Sequence, residues 1–258
     1  MHPLVNIAVS AVRQASRISS HGIDIVRSHS RGPNDFTDTM ELKAEQIMID
    51  VIKAAYPNHA IDARHSGKIA GKEITWLIDS LDGKKNFQSE NPHFALTVAV
   101  IENGRVQHSV IYAPITDELF TASRGRGTSV NGKRLRVTSQ KDLNKCTLGT
   151  DFPYPTEAKG DMRMGVFTDF VNNCQDIRVS GTPSLDIAYV AAGRLDGYWK
   201  FGLTEWEVAA ASLMLQEAGG IIDDMKGQQK FLSNGNVIAA SPKVFKYMAK
   251  TIQPNLKS

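Results

Sequence analysis

The stretch W-L-I-D-S-L-D-G-K-K-N-F, residues 76–87, joins an apolar run to two aspartates, a glycine and an Asn-Phe pair. The apolar run is short, β-branched and aromatic, which is typical of a buried strand, so Asp79 and Asp82 are predicted at its carboxyl end. In open α/β sheets ligands bind at that end. Two carboxylates three residues apart can converge on a hard cation, with the Leu81 carbonyl as a further ligand and Gly83 allowing a sharp turn. A capped turn without a ligand explains the same pattern, because Asp and Gly are the commonest turn residues.

The composition of the 258-residue chain excludes several protein classes. With 22% charged and 41% hydrophobic residues, the chain is neither disordered, collagen-like nor a disulfide scaffold. The net charge of +3 is too small by itself to imply a nucleic-acid or membrane partner. Cys146 and Cys174 lack a Cys-x-x-Cys pattern, which favours a reduced cytoplasmic protein without a zinc site. The absence of a signal-peptide pattern and of any run of about eighteen apolar residues predicts neither export nor membrane insertion.

Two amphipathic helices are predicted before the central stretch. Apolar residues recur at three- and four-residue spacing over 4–18, which predicts a helix that ends near Gly22. A second apolar stripe covers 40–55, with candidate caps at 37–39 and a stop at 56–57.

The rest of the first half predicts a mostly antiparallel sheet. Strands are predicted at 74–78, 94–101, 106–112 and 118–122, with turns at 102–104, 125–127 and 131–132. The region after these strands is markedly basic, through Arg124, Arg126, Lys133, Arg134, Arg136, Lys141 and Lys145. A solvated surface and an anionic partner both explain this charge.

The second half changes to short strands that alternate with helices. Helices are predicted at 162–174, 185–192, 205–218 and from 242 onward, and strands at 177–179, 196–201, 221–222 and 237–240. The change of pattern predicts an α+β domain over residues 1–142 and an α/β domain over residues 143–258.

Motifs along nearly the whole chain resemble those of the inositol monophosphatase family of magnesium-dependent phosphomonoesterases, most closely its bacterial extragenic-suppressor members that also serve as Nus factors. The motifs are G-P-N-D-F near Gly32, Ala44-Glu45, Y-P-N-H at Tyr56, I-D-S-L-D-G-K-K-N-F at Ile78, P-H-F-A at Pro92, D-I-A-Y-V-A-A-G-R-L-D-G at Asp186 and W-E-V-A-A at Trp206. The resemblance implies a layered αβαβα sugar-phosphatase fold, a homodimer, and an active site between an α+β half and an α/β half.

The resemblance also implies a chemistry in which magnesium ions neutralise the phosphate and generate a hydroxide nucleophile from bound water. The residues that fall on the family's catalytic positions are Glu41, Asp79 and Asp82. The residues that fall on metal-ligand positions are Asp79, Leu81, Asp82 and Glu207, and those on the substrate side are Gly83, Lys84, Lys200 and Glu207.

Three positions depart from the family pattern by becoming basic. Arg64 falls on a loop glutamate, Lys84 on the motif threonine, and Lys200 on an acidic residue that would contact a polyol substrate. A guanidinium can neither lose its proton nor ligate a cation, so magnesium binding is expected to be badly weakened.

Three hypotheses follow from these departures. In the first, the chain has little or no hydrolytic activity, Arg64, Lys84 and Lys200 form ion pairs with the old carboxylates, and the protein acts by binding. The relatives then imply transcription antitermination on ribosomal RNA, with Nus factors and RNA polymerase as partners. In the second, Asp79, Asp82 and Glu207 still support a magnesium phosphatase acting on inositol phosphate or a sugar phosphate, and His65 or Asp62 replaces the missing glutamate. In the third, the cleft is a sensor in which Lys84 and Arg64 bind a phosphate anion.

Overall fold

The strand Ile74–Asp82 alternates its apolar side chains between two layers of helices. Trp76 and Ile78 pack in the cluster formed with the two N-terminal helices, whereas Leu77 packs in the cluster on the opposite face of its sheet. This alternation follows from the two-residue period of a strand. Both faces of the strand are therefore covered.

The computed structural model describes residues 2–28, 34–152 and 160–257. The first two residues of the G-P-N-D-F motif, at positions 32 and 33, lie outside this description. The helices of the described residues are α1 (Pro3–Ser28), α2 (Asn34–Ala55), α3 (Lys84–Gln88), α4 (Gly160–Asn173), α5 (Pro183–Ala191), α6 (Glu205–Glu217), α7 (Phe231–Asn234) and α8 (Pro242–Ile252), with short 3-10 helices at Leu143–Lys145 and Asn255–Lys257.

The strands form two sheets. The strands of the larger sheet are β1 (Ala60–Ala63), β2 (Gly67–Ile69), β3 (Ile74–Asp82), β4 (Ala95–Glu102), β5 (Arg105–Ala113), β6 (Glu118–Ser123), β7 (Gly127–Val130) and β8 (Lys133–Arg134), in the spatial order β2-β1-β3-β4-β5-β6-β7-β8. The strands of the smaller sheet are β9 (Thr147–Thr150), β10 (Asp176–Val179), β11 (Gly197–Lys200), β12 (Ile221–Asp223) and β13 (Val237–Ala240), in the order β10-β9-β11-β13-β12. The larger sheet is antiparallel apart from the parallel pair β1 and β3, as the sequence predicted for most of it.

Apolar clusters hold these elements in five layers. Helices α1 and α2 pack on one face of the larger sheet, and α5 and α6 fill the space between the two sheets. Helices α4 and α8 cover the outer face of the smaller sheet. This arrangement confirms the predicted αβαβα fold.

The predicted domain boundary between residues 142 and 143 lies in the connection from β8 to β9. Helices α5 and α6 contribute to one apolar cluster with both sheets, so the core continues across that boundary. The division into two domains stays a prediction. Among the described residues, no helix is both long and apolar enough to cross a lipid bilayer.

Several predicted boundaries were wrong. Helix α1 continues through Gly22, because a glycine inside a helix costs only about 1 kcal/mol. Helix α2 begins at Asn34, so the predicted caps at 37–39 lie within it. Strand β3 continues to Asp82, which places Asp79 inside the strand rather than beyond its end. A register shift against β4 between these two aspartates bends the strand there.

Short elements were missed by the sequence patterns. They are β1, β2, β7, β8, β9, α3 and α7. Each has at most five residues, which is too few for an apolar period to show. The residues around Arg64 form the turn of the β1–β2 hairpin.

Candidate functional site

A cleft of about 330 Å³ lies where the end of β3 meets α2, α5 and α6. Its lining residues are Glu41, Arg64, His65, Leu81, Asp82, Gly83, Lys84, Lys85, Asp151, Gly181, Pro183, Lys200 and Glu207. The predicted site residues are in this set, apart from Asp79 and the alternative ligand Asp62. Asp79 is fully buried and bonded to Arg64, and Asp62 lies 3.4 Å from Lys68. The fold therefore brings the predicted residues together from five separate segments. Sequence reasoning did not identify Lys85 and Asp151.

Arg64 reaches into the cleft from the turn between β1 and β2. Its Nη1 donates to Oδ2 of Asp79 at 2.6 Å, and its Nη2 lies 3.9 Å from Oε1 of Glu207. Burial lowers the pKa of Arg64, but the charges of Asp79, Glu207 and Asp82 outweigh burial and hold the pKa above its ordinary value. The guanidinium is therefore charged at every physiological pH, and it supplies the positive charge that the buried Asp79 requires.

Lys84, the residue after Gly83, forms ion pairs with two carboxylates of helix α2. Its Nζ lies 2.5 Å from Oε2 of Glu41 and forms a second ion pair with Asp38. Oε1 of the buried Glu41 lies 3.3 Å from Nε2 of His65. Partial burial lowers the pKa of Lys84, whereas its bonds to Asp38 and Glu41 raise it, and the net shift is upward. Both oxygens of Glu41 thus contact a nitrogen.

Glu45 fixes the turn that carries Arg64, a role that sequence reasoning missed. Its carboxylate is fully buried and accepts hydrogen bonds from the backbone N–H groups of His65, at 3.0 Å, and Ser66, at 2.7 Å. A signal was available, because Glu45 follows Glu41 by one helical turn on the buried stripe of α2. A carboxylate on such a stripe needs a partner.

Glu207 has two structural contacts in addition to its proximity to Arg64. Its Oε2 accepts hydrogen bonds from both the backbone N–H and the Oγ1 of Thr204, each at 2.7 Å. Thr204 and Glu207 form a capping box at the start of α6. The T-x-x-E spacing is the known sequence signal for this motif, and it was overlooked.

Asp82 and Asp79 each accept a backbone hydrogen bond but differ in the charges around them. Oδ2 of Asp82 accepts a hydrogen bond from the backbone N–H of Ser184 at 2.8 Å, and Oδ1 of Asp79 accepts one from that of Leu81 at 3.0 Å. Complete burial, together with the charges of Asp79 and Glu207, raises the pKa of Asp82 to about 8. Asp79 has a cation against it, whereas burial of Asp82 beside two other carboxylates favours its protonated form.

Gly83 occupies a position where a side chain does not fit. Its φ is 95°, in the left-handed region, and a Cβ would lie 2.5 Å from Oγ1 of Thr182 and 3.0 Å from the carbonyl of His93. The sharp turn predicted at Gly83 therefore depends on close packing as well as on backbone freedom.

Lys200 has a different partner from the one predicted. Its Nζ lies 2.7 Å from Oδ2 of Asp151, at the end of β9, and not against the carboxylates at Asp79, Asp82 or Glu207. The sequence predicted that all three bases pair with carboxylates on the family's metal and catalytic positions. The contacts of Arg64 and Lys84 support this prediction, and it was wrong for Lys200. The reason is topological: β11 places Lys200 beside the parallel strand β9, whose C-terminal end carries Asp151.

Magnesium does not fit the donor set of this cleft. Among the described residues, no group of three or more His, Cys, Asp or Glu side chains is arranged to hold a metal ion. Asp79 and Glu41 instead contact the nitrogens of Arg64 and Lys84. At a separation of about 4 Å and an effective dielectric near 20, repulsion between a divalent ion and one fixed unit charge costs about 8 kcal/mol.

Comparison with known proteins gives a consistent result over the whole length. The model of the inositol monophosphatase family matches residues 1–257. The chain is 41% identical to the Nus factor SuhB of Pseudomonas aeruginosa, over 99% of this chain and 98% of that protein. It is 40% identical to the Nus factor SuhB of Escherichia coli K12, with the same coverage.

Solved structures agree with these sequence relatives. The extragenic suppressor protein suhB of Bartonella henselae superposes with a TM-score of 0.91 at 32% identity, covering 98% of this chain and 99% of that one. An inositol monophosphatase from Anabaena superposes with a TM-score of 0.84 at 28% identity, covering 97% and 95% of the two chains.

Proposed function

Because the chain belongs to the inositol monophosphatase family, we propose that it is a binding protein of the Nus type whose magnesium-dependent phosphomonoester hydrolysis is impaired or lost. The observation that carries this proposal is the pair of contacts from Arg64 to Asp79 and from Lys84 to Glu41. Each places a cationic nitrogen of the chain against a carboxylate on a family metal or catalytic position. The cleft is thereby neutralised without an added ion.

The same contacts weigh against the two other hypotheses. An active phosphatase would need a replacement for the missing glutamate, but His65 faces Glu41 at 3.3 Å and Asp62 lies 3.4 Å from Lys68. A phosphate sensor would need cations available to the anion, whereas Arg64 and Lys84 already have carboxylate partners.

The binding role rests on the relatives named Nus factor SuhB. A Nus-type role predicts that this protein associates with RNA polymerase and Nus factors on ribosomal RNA transcripts. The family also suggests a homodimer as the binding unit, which is part of this proposal.

The enzymatic part is tested by phosphate release from inositol monophosphate across a magnesium titration. We expect no magnesium-dependent release from the natural sequence and measurable release from the Arg64→Glu, Lys84→Thr variant. Robust turnover by the natural sequence would overturn the proposed loss of activity. Failure of the variant to gain activity would show that further departures also block hydrolysis.

The binding part is tested by gentle co-purification of a tagged copy from its own cells. Retention of RNA polymerase and Nus factors supports the proposal. Their absence, with a tagged known Nus factor retained in parallel as the positive control, contradicts it.

A further inference from the structure

A second groove lies at the β6–β8 end of the larger sheet, beside the start of α1. It shares no lining residue with the cleft. It measures about 550 Å³, and its lining includes Thr121, Ser123, Arg126, Thr128, Ser129 and Arg134. Hydroxyl side chains and two guanidinium groups dominate this lining. No phosphatase motif includes any of these residues.

The two arginines of the groove are exposed. Arg126 lies on the turn between β6 and β7, and Arg134 lies on the edge strand β8. Among the ion pairs of the described residues, neither arginine has a carboxylate partner. A Cβ on Gly127 would lie 3.1 Å from Nη2 of Arg134, so the guanidinium of Arg134 rests against the backbone of that turn. The two positive charges therefore flank the same turn.

The turn that carries Arg126 is anchored to the core. The carboxylate of Glu217, at the end of α6, accepts hydrogen bonds from the backbone N–H groups of Gly125, at 2.8 Å, and Gly127, at 2.7 Å. Nε of Arg124 donates to the carbonyl of Val106 at 2.9 Å. These bonds fix the backbone of the turn on both sides of Arg126, so binding an anion requires ordering of the side chain but not of the turn.

We propose that this groove binds the sugar-phosphate backbone of single-stranded RNA, an inference that rests on the Nus-type function proposed above. Arginine guanidinium groups bind phosphate oxygens in a bidentate manner. Hydroxyl groups of Ser and Thr are common further donors to phosphate. Here Thr121 and Ser129, bonded to each other at 3.1 Å, and Ser123, whose Oγ lies 2.8 Å from Nδ1 of His108, line the groove.

The lining favours a nucleic-acid strand over an acidic peptide or a duplex. Peptide interfaces are anchored by apolar or aromatic side chains. The apolar side chains that line this groove are those of Pro3, Val5 and Ala122, which are small. Duplex readout uses a helix or a protruding ribbon that enters the major groove, whereas this surface is concave. The lining contains no Phe, Tyr or Trp for stacking bases, so binding is expected to depend weakly on base sequence.

The test is fluorescence anisotropy of a labelled oligouridylate of about 12 nucleotides, titrated with the full-length protein at several salt concentrations. Its variant is Arg126→Gln with Arg134→Gln. The matched control is Lys243→Gln with Lys246→Gln, which removes the same charge from two exposed positions on α8. We expect the groove variant to bind at least about tenfold more weakly and to lose about 1.4 from the slope of log K against log salt, and the control to change little.

A second variant distinguishes loss of charge from loss of folding. Arg126→Lys with Arg134→Lys keeps both charges, so we expect it to retain the salt slope while binding more weakly than the natural sequence. Equal losses in the groove and control variants, or no loss in the groove variant, would overturn the proposal. Tighter binding of duplex DNA or of polyglutamate than of oligouridylate would also overturn it.

Failure of this inference is distinguishable from failure of the proposed function. The anisotropy assay contains only this protein and RNA, so its result is independent of phosphatase activity and of Nus factors. Conversely, co-purification with RNA polymerase that survives ribonuclease treatment and the groove substitutions would support the Nus-type role, whatever the anisotropy assay shows for the groove.

Discussion

The guanidinium of Arg64 lies 2.6 Å from the carboxylate of Asp79, and the two side chains differ sharply in exposure. Asp79 is 0% exposed, whereas 31% of the Arg64 side chain is open to solvent. A buried carboxylate in this family position is thus neutralised by a side chain from a neighbouring turn. Arg64 therefore supplies the counter-charge of a carboxylate that water does not reach.

Replacing Arg64 with alanine should lower the free energy of unfolding by about 3 kcal/mol, because it leaves the charge of Asp79 buried without a partner. Urea unfolding measures the change as a lower midpoint. The control is Arg178→Ala, which removes an Arg–Asp pair whose members are 56% and 45% exposed. That solvent-exposed pair should contribute much less to stability than the Arg64–Asp79 pair, because solvent screens it. A loss from Arg64→Ala no larger than that of the control would show that the buried pair does not stabilise the fold.

Removing the two cleft bases should create magnesium binding. The Arg64→Glu, Lys84→Thr variant frees Asp79 and Glu41 and restores oxygen ligands, so its melting temperature should rise with magnesium. At ten times the dissociation constant the gain is about 1.4 kcal/mol. Lys243→Glu with Lys246→Thr makes the same charge change on α8 and should show no such rise. A magnesium-dependent rise in the natural sequence would contradict the neutralised cleft.

The fold was largely predictable because its long elements have clear apolar periods. Helix α6 and strand β4, for example, were predicted to within one residue at each end. The αβαβα layering came from the motif resemblance, and the apolar clusters bear it out. Boundaries failed where local signals were weak, as at Gly22, since tertiary packing can override a single unfavourable residue.

The candidate site was predictable in its membership and less so in its contacts. The sequence placed Arg64 and Lys84 among the carboxylates, but it gave no means to choose their individual partners. Lys200 shows the limit, because its partner Asp151 is set by which strands lie side by side in the smaller sheet. Such pairings depend on chain topology, which motif spacing does not encode.

Gly83→Ala should destabilise the protein by about 2 to 3 kcal/mol, because alanine is strained at a φ of 95° and its Cβ would clash with Thr182. Gly104→Ala is the matched control. Gly104 has a φ of 72° but open space around it, so only the backbone cost of about 1 kcal/mol applies. Thermal unfolding of both variants separates the two contributions. Equal losses would mean that the close packing at Gly83 is unimportant.

Asp186 should make stability fall as pH rises. Its burial raises the pKa to about 7, although the hydrogen bond from Ser180 and the charge of Lys200 oppose the shift. Because the folded pKa is above the unfolded value of about 4, the folded state binds more protons between about pH 4 and pH 7. The contribution is present in full below the unfolded pKa and is lost as pH rises through the folded pKa.

Asp186→Asn should therefore flatten the pH dependence by about 4 kcal/mol over that window, measured by urea unfolding at successive pH values. Asp224→Asn provides the opposite case. Burial raises the pKa of Asp224, but backbone N–H groups outweigh it and lower the pKa, so its contribution is lost as pH falls. A pH profile that Asp186→Asn leaves unchanged would assign the dependence to other groups.

Glu207→Asp tests whether the capping box at the start of α6 requires the length of a glutamate side chain. Aspartate is one methylene shorter and should not reach the backbone N–H and Oγ1 of Thr204, which Glu207 contacts at 2.7 Å. We expect a loss of about 1 kcal/mol in urea unfolding. Glu207→Gln keeps the capping geometry without the charge, so it should lie close to the natural sequence, since Gln serves equally in a capping box. If Gln is as damaging as Asp, the charge facing Arg64 at 3.9 Å, rather than the cap, is what α6 requires.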